Sequence, residues 1–218
     1  MKTRFLVMAG LLAVGAAVNA QTLYSQSPIV GEEGGPFSEA DGQQIADTMS
    51  PVASGQAGLA TFWGSSFIAG DPFNVGDSFQ FTLVTWDVDG SGNPNSILNQ
   101  ITGMATISSE AGVNGSGDMV YQYDMNLGGL GPNLTAGSSY MFSVWESDPN
   151  TPVNSWRWMN GSGPQDYTSF RSDANSGWSQ DGGSRADLAF ELKAVPEPAT
   201  MLALGTGLAV ILKRRKSK

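Results

Sequence analysis

The sequence predicts an all-β fold, an antiparallel β-sandwich of jelly-roll-like type, set between an N-terminal signal peptide and a short C-terminal transmembrane helix. Three observations point to the sandwich. Apolar residues alternate with period two through the middle of the chain, glycine-rich turns separate the alternating runs, and no stretch of a dozen residues there has a helical period. Composition agrees: 28 glycines, 14% charged and 10% aromatic residues suit many strands and tight turns.

The alternating runs define the expected core. Tyr121, Tyr123, Met125 and Leu127 share one face, with Gln122, Asp124 and Asn126 on the other. Leu188, Phe190 and Leu192 alternate with Asp187, Ala189 and Glu191. Tyr140, Phe142 and Val144 alternate with Met141, Ser143 and Trp145, a strand apolar on both sides and therefore central. Between Ser78 and Val88 the apolar parity switches, from Phe79, Phe81 and Leu83 to Val84, Trp86 and Val88, which predicts a bulge or twist near Leu83. Turns are expected at Gly70-Asp71-Pro72, Asp89-Gly90-Ser91-Gly92-Asn93-Pro94, Asn114-Gly115-Ser116-Gly117, residues 128–133 and Asp181-Gly182-Gly183. No internal repeat or interdomain linker is evident, so residues 21–193 form one domain.

Both ends are targeting material. Lys2 and Arg4 precede an apolar run over residues 5–18, and small residues at Val18 and Ala20 complete a secretory signal, residues 1–20, cut between Ala20 and Gln21. At the other end, residues 194–218 comprise Val195-Pro196-Glu197-Pro198, an apolar segment over 199–212, and a basic tail, 213–218, whose Lys213, Arg214, Arg215 and Lys216 stay cytoplasmic. Fourteen helical residues reach about 21 Å against a hydrocarbon core of about 30 Å, so the segment spans with snorkelling cations and local thinning. The two prolines keep the glutamate between them extended and accessible to a protease.

This tail resembles the PEP-CTERM sorting signal, in its Pro196-Glu197-Pro198, Leu/Ala/Gly-rich segment and terminal Lys/Arg cluster. The resemblance implies export through the general secretion machinery and signal peptidase, then recognition by an exosortase-type membrane enzyme in an outer-membrane bacterium that makes exopolysaccharide. The middle region resembles, more loosely, β domains attached to such tails. The matching features are Ile45-Ala46-Asp47, Ala60-Thr61-Phe62-Trp63-Gly64, Gly90-Ser91-Gly92-Asn93-Pro94, residues 140–146, Trp156-Arg157-Trp158 and Asp187-Leu188-Ala189-Phe190-Glu191-Leu192. That second likeness implies the fold and no particular activity.

Charge and absences narrow the function classes. Residues 21–195 carry four basic against nineteen acidic residues, a net charge of −15, so phosphate backbones are repelled and nucleic acid is not an expected partner. Only about 20 Å of extended chain separates Lys193 from Ala199, so an acidic domain held there against the inner membrane is expected to be anchored transiently and passed to the surface or matrix. Without histidine or cysteine the chain has no Ser-His-Asp or Cys-His machinery and lacks the commonest zinc ligands.

Four candidate chemistries remain. Asp87, Asp89, Ser91 and Asn93 place oxygens at alternate positions like the start of a calcium loop. Leu98 occupies the twelfth position instead of glutamate, so a hairpin turn is preferred and no cofactor is expected. In a strand, Trp156 and Trp158 project from one face, either as a stacking platform for sugar rings or as core. Core is preferred, as it is for Trp63, Trp86, Trp145 and Trp178, since large aromatics dominate sandwich interiors. Glu110, Asp124, Glu146 and Asp148 are candidates for a paired-carboxylate glycoside hydrolase, with no spacing that singles out an acid and a nucleophile. The Asn-x-Ser/Thr sequences at Asn114, Asn133 and Asn160 are assigned to turns. The expectation is a non-enzymatic exported protein, a surface or matrix component with a binding or structural domain and polysaccharide as its ligand class. A polysaccharide hydrolase is the alternative.

Overall fold

The computed structural model describes residues 20–31, 43–66, 73–147, 156–163, 168–173, 175–180 and 187–195. Residues 1–19 of the signal peptide, the expected turns at residues 69–72 and 181–183, Asp148, Pro196, Glu197 and Pro198, the apolar segment 199–212 and its basic tail lie outside the described residues. Thr22–Val195 form one compact unit.

Twelve strands build it: β1 (Thr22–Gln26), β2 (Gln44–Met49), β3 (Gly55–Ser66), β4 (Ser78–Val88), β5 (Pro94–Val113), β6 (Met119–Asn126), β7 (Asn133–Leu134), β8 (Tyr140–Glu146), β9 (Trp156–Trp158), β10 (Thr168–Arg171), β11 (Ser179–Gln180) and β12 (Phe190–Ala194). They pair in the order β1-β12-β3-β6-β5-β4-β8-β2-β10-β11, with β7 and β9 added to β3. Every named ladder is antiparallel.

One continuous sheet becomes two facing layers because β5 belongs to both. Its first half pairs with β4 and its second half with β6; Thr106 is the handover, opposite Ser78 on one side and Asp124 on the other. A strand that changes partners part-way turns a sandwich corner. The layers then meet through aromatic side chains from strands that are not neighbours in the sheet. Phe142 of β8 stacks on Phe190 of β12 at 4.6 Å, and Phe62 of β3 meets Phe81 of β4 edge-on at 4.9 Å. This is the expected antiparallel sandwich, formed as a single sheet curled on itself.

The alternation read from the sequence places the core correctly. Tyr121, Tyr123, Met125, Leu127, Leu188, Phe190 and Leu192 are all buried in it. The parity switch in β4 has a different cause from the one expected. The β4–β8 ladder runs without a break from Phe81 to Trp86, so no bulge sits at Leu83 on that side, and the β4–β5 register shifts only between Thr85 and Val88. Phe81 and Leu83 enter the main core, whereas Val84 and Trp86 join Ala46, Met141 and Trp145 in a second, smaller core. β4 and β8 are thus buried on both faces. The segment around β10 and β11 closes the second core: the Arg171 guanidinium lies 4.7 Å from the Trp178 ring centre and 5.5 Å from that of Trp86. Its Nε donates to Gln44 Oε1 at 2.9 Å. Burial pulls the Arg171 pKa down, with Asp173 opposing.

Two hairpin turns share one design, Asx-Gly-Ser-Gly-Asx, at residues 89–93 and 114–118. In each, the first side chain's Oδ1 accepts two backbone N–H groups: Ser91 and Asn93 at 2.8 and 2.9 Å onto Asp89, Ser116 and Asp118 at 3.0 and 2.9 Å onto Asn114. The fourth residue takes positive φ, 84° at Gly92 and 90° at Gly117, which glycine alone adopts without strain. Asp89 is exposed and Asn114 is buried, so water replaces the lost acceptor at one turn and not at the other. Asn114→Ala is expected to cost about 2 kcal/mol and Asp89→Ala under about 1 kcal/mol in urea unfolding. Equal losses at the two sites would contradict this account of the turns.

Candidate functional site

The end of the folded unit is an interior strand of its sheet, one place in from the edge. β12 is flanked by β1, Thr22 opposite Lys193, and by β3, Phe190 opposite Phe62 and Ala194 opposite Ala57. Thr22 Oγ1 donates to Glu191 Oε1 at 3.1 Å, and Lys193 Nζ pairs with Glu191 Oε2 at 2.8 Å. The ladder continues one residue further, since Val195 N–H donates to the Gln56 carbonyl at 2.9 Å. Gly58 makes room for it; a Cβ there would meet Val195 Cγ2 at 2.6 Å. The next residue is Pro196, which has no N–H with which to extend the pairing. No spacer therefore separates the last hydrogen-bonded residue from Pro196-Glu197-Pro198, and β1 begins two residues after Ala20. Residues 194–216 match the PEP-CTERM protein-sorting motif. The PEP-CTERM motif marks an exported protein, anchored at the membrane before sorting and processed by an exosortase-type membrane enzyme. No curated protein matches the chain.

Trp156 and Trp158 lie in the core, 2% and 0% exposed, and neither offers a face to a sugar ring. They form β9, which pairs with β3 at Gly64–Ser66, and their shared face points between the layers. Trp156 meets Phe81 and Phe62 edge-on, with ring centres 5.1 and 6.0 Å apart. Trp158 Nε1 donates to the Ala189 carbonyl at 2.9 Å. Gly64 is what lets β9 come so close, since a Cβ there would run into the Trp156 indole. Burial pushes the neighbouring Tyr123 hydroxyl far above the usual tyrosine range, opposed by the Trp156 indole N–H, although the two form no hydrogen bond of normal geometry. Trp86 and Trp145 are also buried, and Trp63 and Trp178 partly so.

The described candidate carboxylates come from three strands, Glu110 from β5, Asp124 from β6 and Glu146 from β8. Asp124 lies on the outer face of its layer, accepting from Thr61 Oγ1 at 2.7 Å and from Gln122 Nε2 at 3.3 Å. Glu146 is buried at the far end of β8 and raises the Tyr123 pKa from inside. Glu110 sits opposite Tyr121, whose pKa is raised by burial first, then by Glu110 and Asp77. Among the described residues no three His, Cys, Asp or Glu side chains group to hold a metal. Asp89 spends one carboxylate oxygen on its own turn.

One polar cluster was not singled out from the sequence. Asp47 and Asp187 are fully buried. Asp47 Oδ2 accepts from Leu188 N–H at 2.8 Å and Oδ1 from Thr48 N–H at 3.0 Å. With its amide turned to satisfy both ends, Gln26 donates to Asp47 Oδ2 at 3.0 Å and accepts from Tyr24 Oη at 2.7 Å. The cluster ties β1, β2 and the lead-in to β12 across the layers. Its one trace in the sequence is an acidic residue interrupting the apolar Ile45-Ala46 run.

Proposed function

We propose that this chain delivers a non-catalytic β-sandwich to the cell surface or extracellular matrix, and that its work there is structural. The observation that carries the reading is the sorting motif joined without a spacer to the last strand. Cutting anywhere beyond Val195 removes the tail and leaves the sheet whole. The anchored stage is transient because the released domain, at −15, gains nothing from an anionic membrane surface. Exopolysaccharide is the matrix component it would meet, through its exposed turns, since Trp156 and Trp158 are committed to the core. A hydrolase is less well supported, since Asp124 lies on the outer face of β6 while Glu146 is buried at the end of β8.

Replacing Pro196, Glu197 and Pro198 together by alanine tests the sorting step. The expected result is an uncut form that accumulates in the inner-membrane fraction while the released form disappears. Release at the normal level from the substituted chain would overturn the proposal.

A further inference from the structure

The corner that makes β5 a member of both layers also leaves it with an open edge. From Pro94 to Ala105 it is bonded to β4 on one side, and β6 takes up the other side only from Thr106. Among the described residues no strand pairs with that second side of residues 95–105. A side-chain bond from Asn99 Nδ2 to the Leu130 carbonyl at 3.0 Å ties it to the turn after β6 and leaves the backbone row from Gln100 to Ala105 open. Long open edges are normally protected by lysine, proline or a covering element. Here none of the twenty residues 90–109 is charged, no proline follows Pro94 before Thr106, and Ile97, Leu98 and Met104 are 50%, 53% and 55% exposed.

We propose that this edge is a self-association site, pairing antiparallel with residues 98–104 of a second copy about a twofold axis at Ile101. Open backbone N–H and C=O groups in a row select an extended strand as partner. The residues then decide which strand. On the outward face Leu98, Gln100, Thr102 and Met104 are arranged symmetrically about Ile101, so in a twofold pair Leu98 opposes Met104 twice and Gln100 opposes Thr102 twice. On the other face Asn99 comes opposite Gly103, a larger residue facing the smallest. The edge is thus complementary to itself, as a twofold interface requires. Charge points the same way. Two domains of −15 repel over most of their surfaces, and the uncharged edge is where copies can approach without opposing like charges. A basic partner would be drawn to the acidic surface elsewhere. The inference is independent of the sorting tail, and its failure would leave the proposed function standing.

Sedimentation equilibrium of the exported protein tests it. The wild-type protein is expected to form a dimer that tightens as salt is raised. Leu98→Glu with Met104→Glu sets acids opposite one another and should weaken the dimer roughly tenfold or more. Leu98→Lys with Met104→Glu sets opposite charges together and should restore it. Both positions are half-exposed, and the mixed-charge variant carries the same load of surface charge, so a folding defect would appear in both. The chain has no cysteine, so Gln100→Cys chains mixed with Thr102→Cys chains should oxidise preferentially to the mixed disulfide. A wild-type protein monomeric at all salt concentrations, a double-glutamate variant that dimerises like wild type, a mixed-charge variant that stays monomeric, or disulfides without preference for the mixed pair would each overturn the proposal.

Discussion

A chain that stops at Ala189 is expected not to fold, whereas one that stops at Val195 should unfold cooperatively like the full exported protein. Six residues decide this because β12 is an interior strand. Phe190 and Leu192 are fully buried, Phe190 stacks on Phe142 across the layers, and the ladders to β1 and β3 both depend on the same backbone. Losing a buried phenylalanine and a buried leucine costs about 5–10 kcal/mol by cavity and transfer arguments alone. That equals the whole stability of a typical domain, about 5–15 kcal/mol, before the unpaired edges of β1 and β3 are counted. Circular dichroism with urea unfolding of the two chains makes the comparison. A cooperative transition in the chain ending at Ala189 would show that β12 is dispensable and that the folded unit does not reach the sorting motif.

Trp158→Ala should destabilise the domain by about 3–5 kcal/mol. The indole is fully buried, packs against Phe142 and Phe190 with ring centres 6.3 and 5.9 Å apart, and donates a hydrogen bond to the Ala189 carbonyl. Truncation opens a cavity between the layers and removes the shorter of two hydrogen bonds to that carbonyl, leaving the one from Trp63 N–H at 3.3 Å. Trp158→Phe keeps most of the volume and should lose about 1–3 kcal/mol, chiefly through the hydrogen bond. An exposed sugar platform behaves in the opposite way: its loss leaves stability within about 0.5 kcal/mol and removes ligand binding. Urea denaturation of the two variants separates the cases, and a stable Trp158→Ala protein that had lost glycan binding would reinstate the platform.

What the sequence made legible follows from where burial is one-sided. β6 and β12 each have one inward and one outward face, so Tyr121, Tyr123, Met125, Phe190 and Leu192 stand out by alternation alone. β4 is buried on both faces, and its change of parity marks the second core rather than an irregular backbone; no periodicity separates those causes. β5 was not recognisable as a strand. Twenty residues rich in Asn, Ser, Thr and Gly carry no sustained apolar alternation, because Pro94, Ala105 and Ile107 are the ones they bury and register shifts interrupt the pattern towards both ends. β9 was legible as two aromatics on one face. The depth of those aromatics was not, because it depends on Gly64 in a strand more than ninety residues earlier. The sorting tail was legible in full as a sequence pattern, since recognition of an extended segment depends on local residues. Its attachment at Val195 was not, because a hydrogen bond to Gln56 leaves no mark on either residue.

The central claim is that a folded sheet ends where a removable tail begins. Intact mass measurement of the protein recovered outside the cell tests this most directly. The account predicts a species beginning at Gln21 that keeps Val195 and lacks residues 199–218. A released protein that retained Lys218, or one cut before Phe190, would contradict it.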